Sequence, residues 1–74
     1  MSEPKTHLLS EPKLNVRALA AMSKISIEEL ARRADIDPDH LKSVSSGRAT
    51  MTGRDLINLA VFTGVSPFQI AIEQ

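Results

Sequence analysis

The sequence predicts an all-α domain made of five short helices, preceded by a loose N-terminal arm. Apolar residues recur at three- and four-residue spacing through most of the chain, as they do on one face of a helix. Polar capping residues and prolines interrupt this pattern at short intervals, which predicts short helices with brief connections. No stretch alternates between apolar and polar residues, so we predict no strands. A chain of 74 residues has room for one domain.

Residues 1–13 are predicted to form the arm, and residues 14–74 the folded domain. A four-residue motif occurs twice in the arm, and each copy contains a proline. The prolines and the lack of a sustained period favour a flexible terminus. The alternative is that Leu8 and Leu9, between the two copies, dock on the domain or on a partner.

Two helices are predicted in the first half of the domain. Asn15 can cap the first, which runs to about Met22. Ser26 and Glu29 have the spacing of a capping box, in which each side chain bonds to the other residue's backbone N–H and so opens the second helix. The buried stripe of this second helix is predicted to be Leu30, Ala31 and Ala34.

The third helix is predicted to begin after Asp37, a good N-cap, with Pro38 in the first position, where a missing N–H costs nothing. It runs to about Ser46, and Gly47 supplies the left-handed residue past its end. The second helix therefore has to end near Asp35.

A second capping box, from Thr52 to Asp55, opens a fourth helix that continues to about Phe62 or Thr63 and stops at Gly64. A serine followed by Pro67 repeats the cap-then-proline arrangement, which predicts a short fifth helix toward the C-terminus.

The connection between the second and third helices indicates a function. Ala31 is small enough to let the two helices cross closely, and Ile36 fills the corner between them. Leu41 and Val44 face inward and hold the third helix against the second. This spacing describes a helix-turn-helix, in which the second member presents a solvent face that can enter a major groove.

Residues 14–70 resemble the lambda-repressor-like domain of the Cro/C1-type (XRE family) regulators. The segments that carry the resemblance are residues 25–36, 41–48, 56–60 and 64–66. The resemblance implies an all-α fold of about five helices, with the third as the DNA-reading helix.

Some positions depart from the family pattern. Asp35 stands where the turn commonly has glycine, a tolerable change because Asp visits the left-handed region readily. Ala20 and Ser45 stand where the family often buries an arginine against a glutamate, so both charges are absent together. Ile27 replaces a polar residue that usually faces a phosphate.

The resemblance implies a DNA-facing surface around the third helix. Lys42 is the first candidate for a base contact, to guanine acceptors, and Arg48 and Arg54 are expected on phosphates. Asp39 either accepts a hydrogen bond from a cytosine amine or only starts the helix. The outward positions of this helix are Pro38, Asp39, Lys42, Ser43 and Ser46.

Charge limits the strength of such binding. Nine basic and nine acidic residues leave a formal net charge of zero, whereas a compact nucleic-acid binder usually carries a positive excess. Three or four neutralised phosphates per subunit predict a salt slope of about −3 to −4. Useful affinity then requires a homodimer that spans two half-sites.

A second apolar set remains on the fourth helix beside its buried stripe, which predicts a dimer or heteromeric interface. The alternative is that the fifth helix covers most of it. The residues expected in this interface are Ile27, Ile57, Val61, Phe62 and Ile70.

Two functions are therefore expected for this chain. The first is a small prokaryotic or phage transcription regulator of the Cro/repressor type, a dimer on a double-stranded DNA operator. The second is a protein-binding relative, an antirepressor or antitoxin-like modulator that docks on another regulator. Neutral charge, Ile27 and the acidic start of the third helix favour the second. The intact cap-turn-cap geometry, with Lys42, Arg48 and Arg54 in suitable places, favours the first, which is the main expectation.

The sequence argues against a disulfide-bonded protein, a metalloprotein, an enzyme and a membrane or secreted protein. Without cysteine there is no disulfide scaffold and no thiolate metal site, and we expect no cofactor and no enzyme. His7 and His40 are expected to be solvated side chains. The sequence shows no membrane span and no secretory signal, so a cytoplasmic location is expected.

Overall fold

The computed structural model describes residues 13–71, which form an all-α fold, as predicted. Within this range there is no strand, only an isolated parallel bridge between Leu14 and Ile70. The elements are α1 (Val16–Ser23), α2 (Ile27–Arg33), α3 (Pro38–Ser45), α4 (Gly53–Thr63) and one 3₁₀ turn (Pro67–Gln69).

The prediction of five α-helices is wrong, because the fifth segment is only the 3₁₀ turn. The Ser66 hydroxyl accepts a hydrogen bond from the Phe68 amide, which closes a tight turn. The backbone is already extended at Ile70, where the chain pairs with Leu14. Pairing with the start of the domain therefore ends the helix after three residues.

Each of the four α-helices begins at its predicted cap. The capping side chains of Asn15, Ser26, Asp37 and Thr52 each accept a hydrogen bond, 2.8–3.0 Å long, from the backbone amide three residues later. Such a bond contributes about 1 kcal/mol to helix stability.

Only the Thr52 box is complete. There the Asp55 carboxylate also accepts from the Thr52 amide at 3.0 Å. At Ser26 the predicted reciprocal bond is absent, because the Glu29 carboxylate accepts instead from Arg33, one turn along the helix.

Left-handed residues end the helices or turn the chain. Gly47 and Gly64 have φ values of 85° and 78°, as their predicted roles require. Asp35, in the turn between α2 and α3, has a φ of 62°, so it adopts the conformation that glycine supplies elsewhere. Lys24, after α1, also has a positive φ, and sequence reasoning did not identify it.

The core is aliphatic and centred on the corner between α2 and α3. Ala31, Leu41 and Val44 are fully buried, and Ile36 is nearly so, which confirms the predicted packing of this corner. The other fully buried large side chains are Val16, Leu19, Leu30, Leu59 and Ile70.

A short backbone link joins the two ends of the described chain. The Leu14 amide donates to the Gln69 carbonyl, and the Ala71 amide donates to the Leu14 carbonyl, both at 2.8 Å. Ile70, between these two bonds, is only 1% exposed. Its expected place on an interface therefore needs correction, because its side chain belongs to the core.

Several predictions lie outside residues 13–71. They are the arm as far as residue 12, with His7, Leu8 and Leu9, and the last three residues of the chain. None of the helices in the described part is both long and apolar enough to cross a membrane.

Candidate nucleic-acid interface

A four-residue turn, residues 34–37, connects α2 to α3 and sets how α3 is presented. The Ile36 amide donates to the Ala31 carbonyl at 2.8 Å, so the turn folds back on the end of α2. Ile36 then packs in the core while Asp37 caps α3. With Leu41 and Val44 buried, the opposite side of α3 is left toward solvent.

The predicted base-reading positions lie on this outward side. Asp39, Lys42 and Ser46 are exposed, and Pro38 and Ser43 are half-buried. Together these five residues form what we call the α3 face.

The chain after α3 folds back beside this face. The Ser43 carbonyl accepts hydrogen bonds from the amides of Arg48 and Ala49, at 2.8 and 3.2 Å, and from the Ser46 hydroxyl at 3.2 Å. The backbone of Arg48 is therefore fixed next to the last turns of α3. Sequence reasoning placed Arg48 beyond the helix but did not identify this carbonyl as its anchor.

The two arginines that were expected on phosphates, Arg48 and Arg54, are both exposed. Arg54 is in the first turn of α4, near the backbone N–H groups that make a helix N-terminus electropositive. Neither guanidinium forms an ion pair with any residue from 13 to 71. Both remain available for an external anion.

Three other cations are paired with carboxylates of α2. Arg33 Nε lies 2.8 Å from Glu29 Oε2, Arg32 bonds to Glu28, and Lys42 Nζ lies 3.5 Å from Glu28 Oε1. The hydrogen bond from Arg33 lowers the pKa of the Glu29 carboxyl, and this outweighs the rise caused by its partial desolvation.

The pairs within α2 were readable from their four-residue spacing. The Glu28–Lys42 pair joins two helices, so no local spacing in the sequence predicts it.

His40 is not the solvated side chain that was expected. Its Nε2 lies 2.7 Å from Asp55 Oδ2, and its side chain is one-third exposed. The bond ties the first turn of α3 to the start of α4, and so links the α3 face to the Thr52 capping box. The two residues lie 15 positions apart, and no local pattern predicts their contact.

The positions of the family's buried charge pair hold no charge in this chain. Ala20 lies in the core, and Ser45 is half-buried. No buried side-chain polar atom within the described range lacks a partner, so the joint loss of both charges leaves no uncompensated group.

An apolar surface lies on α4, away from its buried stripe. Val61 is 78% exposed, and Ile57 and Phe62 are also exposed. The 3₁₀ turn does not cover them, and its own Phe68 is exposed as well. Ile27 is half-buried and packs against the core, so it contributes less surface than was expected.

An open groove of about 400 Å³ lies between this α4 surface and the turn after α2. Asn58 Nδ2 donates to the Asp35 carbonyl at 3.5 Å across it. Its wall is both basic and apolar, and it includes Arg33, Arg54, Val61 and Phe62.

Residues 13–71 contain no cluster of three or more His, Cys, Asp or Glu side chains that could hold a metal ion. No protein-family model, no characterised protein and no solved structure matches this chain.

Proposed function

We propose that this protein is a small DNA-binding transcription regulator with a helix-turn-helix of the Cro/C1 type, active as a dimer on double-stranded DNA. The observation that carries the proposal is the buried corner of Ala31, Ile36, Leu41 and Val44, which leaves the α3 face toward solvent. A short helix held rigidly and exposed along one side is the element that major-groove readers use.

Residue roles follow from chemistry and position. Lys42 donates to guanine acceptors, Ser43 donates or accepts less selectively, and Asp39 accepts from cytosine. Arg48 and Arg54 flank the face and bind phosphates, which sets the register on the duplex. Pro38 and Ser46 complete the contact surface at the two ends of α3.

The exposed apolar residues of α4 support the dimer. Ile57, Val61 and Phe62 form a patch that a second subunit can cover. Two subunits double the number of phosphate contacts, which compensates for the few unpaired cations on each one.

The test is a low-salt gel shift of the full chain against a randomised duplex pool, followed by selection of the tightest sequence. Lys42→Ala is expected to weaken binding by about 1–3 kcal/mol and to relax preference at one base pair. Arg17→Ala, which removes an exposed cation of α1, is the matched control and should leave the sequence preference intact. If no duplex retains the wild-type protein at low ionic strength, the proposal is wrong.

A second candidate is a modulator that docks on another regulator protein. The ion pairs that neutralise Arg32, Arg33 and Lys42 favour it, because they reduce the positive potential of the α2 and α3 side. Ile27→Gln separates the two functions. Higher DNA affinity supports DNA binding, whereas loss of a protein complex without any DNA retention supports the modulator.

A further inference from the structure

The ion pair between Glu28 and Lys42 connects the first turn of α2 to the centre of the α3 face. Glu28 Oε1 lies 3.5 Å from Lys42 Nζ, with the two side chains 42% and 53% exposed. The lysine is therefore accessible to an external ligand while its ammonium group stays beside a carboxylate.

The neighbouring glutamate has similar surroundings but no contact with Lys42. Glu28 and Glu29 both pair with Arg32, and Glu29 also pairs with Arg33. The two carboxylates thus have the same charge, lie in the same helical turn and are similarly exposed. They differ in that only Glu28 reaches the α3 face.

We propose that Glu28 is a specificity-determining residue that positions Lys42 for base recognition; this inference rests on the proposed DNA-binding function. A lysine ammonium is a point charge on a flexible stem, and without a tether it pairs readily with the phosphate backbone. The Glu28 carboxylate limits the rotamers of Lys42 and repels phosphates from the same place. Lys42 is thereby directed to acceptors on base edges, which carry no net charge.

The ion pair thus lowers affinity for DNA in general and increases the preference for one DNA sequence over another. Phosphate contacts raise binding to every sequence equally, whereas base contacts separate one sequence from another. Removal of the Glu28 charge should therefore strengthen binding to unrelated DNA and weaken preference at the base pair that Lys42 reads.

The experiment compares Glu28→Gln with Glu29→Gln in the full chain. The probes are the duplex selected by the wild-type protein and an unrelated duplex of equal length. Glu28→Gln is expected to lower the ratio of the two affinities about two- to fivefold more than Glu29→Gln does, the range that exposed ion pairs produce. Its salt slope on the unrelated duplex should steepen by about one, because Lys42 then neutralises a phosphate.

A third variant tests whether the effect passes through Lys42. In a Lys42→Met background, Glu28→Gln and Glu29→Gln should change the affinity ratio equally, since the tethered group is gone. Circular dichroism melting of each variant checks that the fold is retained.

Equal effects of the two glutamate variants in the wild-type background overturn this inference while leaving the proposed function standing. An effect of Glu28→Gln that persists in the Lys42→Met background also overturns it. If the wild-type protein selects no duplex at all, both the proposed function and this inference fail.

Discussion

Asp55 is a charged side chain held almost entirely inside the protein, 7% exposed, and its donors make that burial tolerable. The Thr52 amide and the His40 ring both bond to its Oδ2, at 3.0 and 2.7 Å. Burial raises the pKa of the Asp55 carboxyl, but the hydrogen bonds from Thr52 and His40 together lower it by more, so it lies below its ordinary value of 3.8. Folding is thus coupled to the ionised form of this residue.

This coupling sets how stability depends on acidity. Because the folded pKa is lower than the unfolded one, the contribution of Asp55 is present above the unfolded pKa and is lost as pH falls through the folded pKa. Asp55→Asn should lower the free energy of unfolding by about 1–3 kcal/mol near pH 7 and weaken the acid dependence below about pH 4. Urea unfolding between pH 2 and 7 measures both.

Asp39→Asn is the control for this experiment, because Asp39 is exposed and bonds to no other side chain among residues 13–71. It should leave the acid limb of the stability curve near that of the wild type. An Asp55→Asn variant that loses stability in acid as steeply as the wild type would contradict the assigned role.

The capping box that opens α4 is complete, whereas the one predicted at the start of α2 is not. The side chains of Thr52 and Asp55 each accept a hydrogen bond from the other residue's backbone amide. The Ser26 hydroxyl accepts from the Glu29 amide, but the Glu29 side chain does not accept from the Ser26 amide. The same Asp55 oxygen also accepts from His40 on α3, so the cap of α4 is part of a contact between helices.

Thr52→Ala should therefore cost more stability than Ser26→Ala. We expect about 1.5–2 kcal/mol for Thr52 and about 0.5–1 kcal/mol for Ser26, from the upper and lower parts of the range for N-caps. Thermal unfolding measures both, with Thr50→Ala as control, since Thr50 is exposed and precedes the cap. Equal losses at Thr52 and Ser26 would show that the complete box adds nothing.

Helix boundaries and the buried corner were predictable because their signals lie within a few residues of each other. Caps act three residues along the chain, and Ala31, Ile36, Leu41 and Val44 follow helical spacing with one corner residue between them. The fifth helix was not predictable in this way. Ser66 and Pro67 correctly indicate where a helix begins. The helix stops after three residues because Ile70 pairs with Leu14 at the other end of the domain.

The candidate site was predictable only in part. The exposure of Asp39, Lys42 and Ser46 follows from helical periodicity once the buried side is known. The bonds from Glu28 to Lys42 and from His40 to Asp55 join separate helices. They depend on how the helices pack, which side-chain types and local spacing do not specify.

The packing of a single subunit does not account for the exposed apolar surface of α4. The side chains of Ile57, Val61 and Phe62 leave apolar area in contact with water on one helix, with exposed fractions of 58%, 78% and 36%. A dimer that buries them removes apolar area from water, at about 25 cal/mol per Å² before the costs of association.

If the proposed dimer forms through this surface, Val61→Gln should weaken self-association and, with it, the proposed DNA binding, while changing the stability of the monomer by less than about 0.5 kcal/mol. Met22→Gln, an equally polar change at an exposed position of α1, should leave the dimer intact. Sedimentation velocity over a range of concentrations measures the association. A wild-type protein that stays monomeric at high concentration would contradict the dimer.

The backbone link between Leu14 and residues 69–71 has a mechanical consequence. A pulling force applied through these two points is borne first by two hydrogen bonds of 2.8 Å and then by the side chain of Ile70, which anchors the link in the core. When the protein is stretched through these two points, the two hydrogen bonds between Leu14 and residues 69–71 should therefore break before any helix unfolds. The same closeness means that residues 14 and 71 can be joined covalently through a short linker, with new ends cut elsewhere on the surface.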